Sequence, residues 1–333
     1  MIRTGSVVAI LLLAASFFQP KSEDLRAKGR TLYSSLCQRC HGETGDDVGY
    51  PGISPLSGIT LRIPVKDIPT LSAPFVGRTF EGREAEALIA HLETLKGEKG
   101  FDQPGYLFSP YLLEKKHGET SHYRIIDTRQ PTEYQARHIP NAVLWKPTAS
   151  ADDTHKQLAA LGVAGPETFV VVYDFNGGPQ AAAAWWAIRK AGHGRVAVLD
   201  GGFQNWTSQA YPVSRSASLF APSSYPRPTT PPGSEPVLCQ ELEEKILVLG
   251  ETSGSEGLRF DWRKTRSDNG LLPASDLRAF LDSMGIDVSG RYHLKGDPRE
   301  SAYLIFLLHL LGQSPQVSST GDTVCLPRQN QAY

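Results

Sequence analysis

Between residues 123 and 199, four short apolar runs alternate with helical stretches, and this alternation restricts the fold of the 333-residue chain more than any other feature. The runs Tyr123 to Ile126, Val143 to Trp145, Thr168 to Tyr173 and Val196 to Leu199 are rich in β-branched and aromatic residues, as strands are. Helical stretches at about 152–161 and 180–191 fall between them. This order predicts an α/β fold, a parallel sheet with helices on both faces, because parallel strands need a crossover and the crossover helices cover the sheet. Ligands of such sheets bind at the carboxyl ends of the strands, where loops meet helix N-termini. The length allows two or three domains. Lys and Arg number 34 against 35 Asp and Glu, a net charge of -1, so the chain has no basic field for nucleic acid or acidic lipid.

Ahead of the α/β region the chain reads differently. Arg3 precedes an apolar run from Val7 to Phe18, shorter than the roughly twenty residues that a spanning helix needs. Ala14 and Ser16 are small residues at the spacing of a cleavage site. Residues 1–20 are therefore predicted to be a signal peptide, the mature protein to be periplasmic or otherwise exported, and no integral membrane span is predicted.

The mature chain opens on Cys37-Gln38-Arg39-Cys40-His41-Gly42. Two thiols separated by two residues and followed at once by an imidazole are the attachment signature of c-type haem. Cys37 and Cys40 would form thioethers to the haem vinyl groups, and His41 would coordinate the iron. One covalently bound haem c is the expected cofactor. Zinc would require four ligands, and a redox thiol pair makes no demand for the histidine.

The flanks of this motif resemble small class I c-type cytochromes. Lys28-Gly29-Arg30-Thr31-Leu32-Tyr33 and Glu84 to Lys96 are similar to the first and last helices of that family, and Leu88, His91, Leu92 and Leu95 share one helical face. The resemblance implies a small all-α domain over 21–100. It also implies a distal Met ligand, which the sequence lacks: the only Met beside the initiator is Met284, and Leu71-Ser72-Ala73-Pro74-Phe75 stands where the Met loop is expected. The iron is then five-coordinate or capped by an atypical group such as Lys66 or His91. His91 also falls where the family packs an aromatic against the first helix.

A second resemblance begins at residue 104. Asp127-Thr128-Arg129, with Glu133, and His138-Ile139-Pro140-Asn141-Ala142 are similar to the first signature of rhodanese-type sulfurtransferases. Val170 to Gly178, Ala184-Trp185-Trp186, Gly192-His193 and Val198 to Trp206 resemble the N-terminal half of two-domain rhodaneses. A rhodanese-like domain over 104–213 follows. Asp127 and Arg129 are expected to form a buried brace with the loop around Glu133 and His138, and Trp185, Trp186 and Trp206 to be core aromatics.

Sulfur transfer needs a polarisable thiolate that attacks an S–S bond and carries a persulfide. Directly after the strand ending at Tyr173, where the family places that cysteine, the chain has Asp174, followed by Asn176, Gly177 and Gly178. A Pro/Ser-rich linker over 214–236 leads to a third segment, 237–333. There Phe260-Asp261-Trp262-Arg263, Leu271-Leu272-Pro273 and Asp276-Leu277-Arg278 resemble the second rhodanese half in shortened, degenerate form. Residue count places its cysteine position on Leu294, or on His293 if the loop has shifted. Cys239, ahead of a helical stretch Gln240 to Lys245, and Cys325 remain as a disulfide pair or as free thiols, Cys239 being the one site for a relocated nucleophile.

The leading expectation is an exported mono-haem cytochrome, exchanging electrons with a redox partner protein such as another cytochrome or a dehydrogenase. It is fused to a rhodanese-like scaffold without sulfurtransferase activity. A small sulfur anion or a docking partner could occupy the scaffold loops. The competing expectation is an enzyme of inorganic sulfur metabolism that uses an open haem position or Cys239, and a haem-based gas sensor is the third.

Overall fold

The computed structural model describes residues 21–46, 54–63, 79–148, 150–225, 245–249, 260–288, 292–313, 316–317 and 324–325. The expected signal peptide, Lys66, Leu71 to Phe75, the linker beyond residue 225 and Cys239 lie outside the described residues.

Four helices open the described chain: α1 (Lys21–Leu36), α2 (Gln38–His41), α3 (Ile59–Arg62) and α4 (Gly82–Leu92). The packing of α1 on α4 depends on Gly29, where a Cβ would overlap the backbone carbonyl of Ala87. One turn on, Tyr33 meets His91 edge-on with ring centroids 5.0 Å apart. Around this crossing Tyr33, Ile59, Phe80, Leu88, Leu92 and Leu95 form a separate apolar core. The helix expected to reach Lys96 ends at Leu92. The Thr94 hydroxyl donates to the His91 carbonyl at 2.7 Å, and Gly97 at φ 71° turns the chain away.

A 3₁₀ turn, Pro104–Tyr106, leads into the α/β region: β1 (Leu107–Phe108), α5 (Pro110–Lys116), β2 (Tyr123–Asp127), α6 (Pro131–Ala136), β3 (Ala142–Leu144), α7 (Ala151–Ala160), β4 (Phe169–Tyr173), α8 (Pro179–Lys190), β5 (Val196–Leu199) and α9 (Gly202–Ser208). The strands form one sheet in the order β1-β5-β4-β2-β3, parallel throughout. The four expected strands are present within a residue or two. The two-residue edge strand β1 and the short helices α5, α6 and α9 add to the expected set. They are too brief to show a period.

Alternate strand residues face opposite sides. Ile126, Val143, Val170, Val172, Val196 and Val198 pack into one buried cluster. Ile125, Ala142, Val171, Tyr173, Ala197 and Leu199 pack into another. Both faces are covered, which is why these strands read as continuous apolar runs.

The remaining described elements are β6 (Lys245–Leu249), β7 (Arg266–Ser267), β8 (Gly270–Leu271), α10 (Ala274–Ser283), β9 (Tyr292–Gly296), α11 (Pro298–Leu310), β10 (Gln316–Val317) and β11 (Val324–Cys325). β6 and β9 pair in parallel. Lys245 is the first residue of β6 and not the last of a helix. Helix α11 is buried from Ala302 to Leu310 and lies against α8, with Trp185 edge-on to Phe306 at 5.1 Å. One apolar cluster therefore runs from the sheet through Trp185 into α10 and α11.

The first dozen residues of the expected linker are not a free spacer. Ser214 bridges to His138, the Phe220 ring lies 3.4 Å from the Arg124 guanidinium carbon, and the Ser223 hydroxyl donates to Val163 O at 2.5 Å. Two aromatics within a Pro/Ser-rich composition are enough to dock the segment, Tyr225 being buried against His193.

His193 and His309 are buried imidazoles, and burial pushes their pKa values down to about 4 and about 3. In an unfolded chain each titrates near ~6.5. Between these values the unfolded chain binds protons that the folded one does not, so stability falls as pH drops below ~6.5. His193 alone corresponds to about 3 kcal/mol. Urea unfolding midpoints measured at pH 7.5 and 4.5 are expected to fall with pH, and less steeply in His193→Gln.

Candidate functional site

The carboxyl end of β4 meets the N-terminus of α8 at a buried carboxylate. Asp174 follows β4 directly and is 3% exposed. Its Oδ1 accepts the N–H of Asn176 at 3.0 Å, of Gly177 at 2.5 Å and of Gly178 at 2.9 Å. Its Oδ2 accepts those of Gly178 at 3.0 Å and Ala181 at 3.1 Å. The loop keeps a ring of inward-pointing N–H groups at the N-terminus of α8, and the side chain of its own first residue fills that ring. Gly177 at φ 74° permits the turn, and α9 closes it, with Phe203 N donating to Asp174 O at 2.9 Å. A carboxylate held this way caps the helix and satisfies four N–H groups, but it has no sulfur to donate or accept.

The third segment repeats the arrangement in shorter form. β9 runs into α11 without a loop, and Asp297 caps the helix, its Oδ1 accepting Arg299 N at 2.7 Å and Glu300 N at 3.4 Å. Burial pushes the Asp297 carboxyl up, but the Arg299 guanidinium and these N–H groups outweigh it and hold it below the usual carboxylate range. The position after the strand is thus Asp297. Leu294 and His293 lie within β9, paired with Leu247 and Ile246, and Leu294 is buried. The place expected by residue count falls inside the strand, because the chain passes from β9 to α11 through Asp297 alone.

The two junctions face one cavity of about 230 Å³, lined by Asp174, Phe175, Asn176, Pro179 and Gln180 from one side and Trp262, Asp297, Arg299 and Glu300 from the other. The Trp262 indole lies directly on Gly178, where a Cβ would come within 3.0 Å of its ring.

The first-signature residues divide their work differently from the expected brace. Asp127 and Arg129 form a buried bidentate pair, with Nη2 to Oδ2 at 2.6 Å and Nε to Oδ1 at 3.0 Å. Tyr173 donates its hydroxyl to Asp127 at 2.6 Å, and Arg129 reaches Arg137 O at 2.7 Å. Glu133 stays outside this brace and caps α6, accepting Gln130 N at 3.0 Å. His138 joins Tyr134 O to Ser216 O, at 2.7 and 3.0 Å. Trp185, Trp186 and Trp206 are all buried.

At the other end of the described chain, Cys37 ends the turn after α1, and Cys40 and His41 lie on α2. Both thiols are free and half-buried. His41 N and Cys40 N donate to Cys37 O at 3.0 Å each, and the Tyr33 hydroxyl fixes Gly42 O at 2.7 Å. Burial lowers the His41 pKa, which favours the neutral imidazole that can ligate a metal. Its Nδ1 is buried with no hydrogen-bond partner. Leu36, Cys37, Leu56, Ile63 and Ile89 form an apolar wall over the core beneath. Two free thiols, a neutral imidazole and an apolar wall fit a haem attached at this motif. His91 packs on Tyr33 with its Nδ1 3.4 Å from the Thr94 hydroxyl. Cys325 is in β11, opposite Gln316.

A rhodanese-like domain model matches residues 109–209, and this part of the chain is a rhodanese-like domain. Thiosulfate sulfurtransferase of Cricetulus griseus is 34% identical over 114 residues, covering 29% of this chain and 38% of that protein. Thiosulfate/3-mercaptopyruvate sulfurtransferase 1, mitochondrial, of Arabidopsis thaliana is 37% identical over 114 residues, 30% of each chain. The match therefore spans between 30% and 38% of the length of these curated relatives. Among solved structures, an anaerobic ergothioneine biosynthesis enzyme from Chlorobium limicola superposes with a TM-score of 0.52 at 17% identity, over 64% of this chain and 65% of that one. That likeness concerns the fold.

Replacing Asp174 by Ala would strand several buried N–H groups at once. A loss of about 2–3 kcal/mol is expected, read as a lower urea midpoint, with Asp174→Asn retaining part of it.

Proposed function

We propose that the protein is an exported c-type cytochrome module carried on a tandem rhodanese-like scaffold that does not transfer sulfur. The observation that carries this reading is Asp174: the loop that should present a persulfide is intact, and a carboxylate fills it. Asp297 at the second junction supports the same conclusion. The fold likeness covers about twice the span of the 109–209 match, which supports reading the third segment as a second, shortened rhodanese-like module.

In this reading Cys37 and Cys40 would hold one haem c through thioethers and His41 would ligate its iron. When bound, the haem supplies one-electron redox chemistry. The chain's own residues do the positioning. Gly29 and Ala87 bring α1 and α4 together, Tyr33 and His91 lock the crossing, and the apolar wall excludes water from the site. His91 is assigned to packing, and Lys66 remains a distal ligand on sequence grounds alone. The predicted leader, periplasmic location and protein redox partner belong to the same proposal.

A second reading, a haem-linked enzyme of inorganic sulfur metabolism, is favoured by the absence of a Met from the cytochrome-like segment, which leaves the distal position open. Cys239 would be its only relocated thiol.

The test is expression with a leader in a host that matures c-type cytochromes. The purified chain is expected to retain one haem after acid–acetone extraction, Cys40→Ala to lose the two-thioether spectrum, and thiocyanate formation from thiosulfate and cyanide to stay at background. A chain that carries no covalent haem, or one that turns over thiosulfate, overturns the proposal. Rapid carbon monoxide binding to the reduced protein would favour the second reading.

A further inference from the structure

Two asparagines in this chain precede glycine, Asn176-Gly177 and Asn269-Gly270. Such a pair carries a reaction of its own. The glycine nitrogen, with no Cβ beside it to obstruct the approach, attacks the asparagine Cγ and expels the amide as ammonia. The fold treats the two pairs differently.

At Asn176 the attacking nitrogen is withheld. Gly177 N donates to the buried Asp174 carboxylate at 2.5 Å, and a negative charge at that N–H opposes loss of its proton. The loop is also packed tight, since a Cβ on Gly177 would come within 2.7 Å of Leu199 O.

Nothing comparable holds Asn269. It is exposed in the two-residue connection between β7 and β8. Its N–H donates to the Ser267 hydroxyl at 3.3 Å and its carbonyl accepts from Asn205, while its side-chain amide makes no hydrogen bond among the described residues. Gly270 pairs only with the neutral backbone of Ser267, on a ribbon of two residues per strand. A ribbon that short is marginal by itself, so its turn opens at little cost.

The position matters because of what lies beneath. Gly270 rests on Asp200 so closely that a Cβ would overlap Oδ1, and Leu271 N donates to the same oxygen at 2.8 Å. Lys99 pairs with that carboxylate from the other side.

We infer that Asn269 is a site of spontaneous modification whose product loosens the Asp200 junction. Gly270 N bonds to Asn269 Cγ as the Cγ–Nδ2 bond breaks, and the amide leaves as ammonia with the Gly270 proton. Water then opens the resulting succinimide to aspartate or isoaspartate, with no oxidation or reduction. In isoaspartate the main chain runs through Cβ and Cγ, one methylene longer, and the former carbonyl becomes a carboxylate beside Asp200. The first change displaces Gly270 and Leu271 from Asp200, and the second adds like charge there. The inference requires neither haem nor sulfur chemistry.

The test incubates the purified full-length chain in mildly alkaline buffer, native and in urea, and maps it with trypsin. Cleavage after Arg266 and Arg278 releases the peptide that carries Asn269. Its deamidated forms are heavier, and the two isomers separate by chromatography. In the native chain Asn269 is expected to convert severalfold faster than Asn176, and urea to remove most of that difference. The aged wild type is expected to unfold at lower urea than its own fresh sample, whereas Asn269→Ser keeps its midpoint on ageing. Three results overturn the inference: Asn269 intact in the native chain while it converts in urea, Asn176 converting as fast as Asn269 in the native chain, or an aged wild type whose midpoint is unchanged despite conversion.

Discussion

The buried carboxylate of Asp200 joins the parts of this molecule. It stands at the end of β5 and is 8% exposed. The Lys99 ammonium, on the segment leaving the N-terminal helices, donates to it and to Leu271 O, and Leu271 N donates to its Oδ1 at 2.8 Å. Asn205 Nδ2 adds bonds to Asp200 O at 3.1 Å and Asn269 O at 3.2 Å. A nearly buried carboxylate costs several kcal/mol unless it is paired and hydrogen-bonded. Here its partners come from both flanking segments, so the penalty is offset only while all three are assembled. The same strap continues to the cysteine motif, because Gly97 N donates to Thr44 O at 3.2 Å and Glu98 N to Asp46 Oδ2 at 3.2 Å. The motif loop and the α/β sheet are thereby held in one arrangement.

Within that frame, fold and chemistry have separated. The buried Asp127–Arg129 pair, the Tyr173 hydroxyl and the Gly177 turn preserve the geometry of a rhodanese-like strand end. The side chain in the loop decides what the geometry can do, and a carboxylate turns an anion cradle into a capped helix. At α11 the single residue Asp297 joins strand to helix and caps it. The N–H groups that Asp174 fills are thereby spent on capping the helix rather than left open to a ligand.

Much of this was legible in the sequence. The four strands were visible because both sheet faces are covered and their residues are almost uniformly apolar. Asp174 could be placed because Tyr173 ends a strand and the following Gly pair marks a turn. The spacing of Cys37, Cys40 and His41 is local and needs no tertiary information. The place of Leu294 inside β9 was not legible, because residue type does not fix how many residues join a strand to the next helix, and neither was the docking of Ser214 to Tyr225, because composition alone reads as a spacer. The brace reaches the expected loop at the Arg137 carbonyl, and the role of Glu133 within that loop was not legible. A capping box and a buried ion pair both call for a carboxylate, and only the backbone around Gln130 shows which one it serves.

The sequence by itself determined the α/β class of the rhodanese-like domain, the thiol–thiol–imidazole motif and the carboxylate that follows β4, since each depends on residue type at short separation. Only the tertiary structure decided that Lys99, Asp200 and Leu271 meet, that His91 packs on Tyr33, and that Glu300 shares a cavity with Asp174 and Trp262. These pairings join residues far apart in the chain, and which of them form is set by how α8 and α11 pack and by where the buried charges find partners.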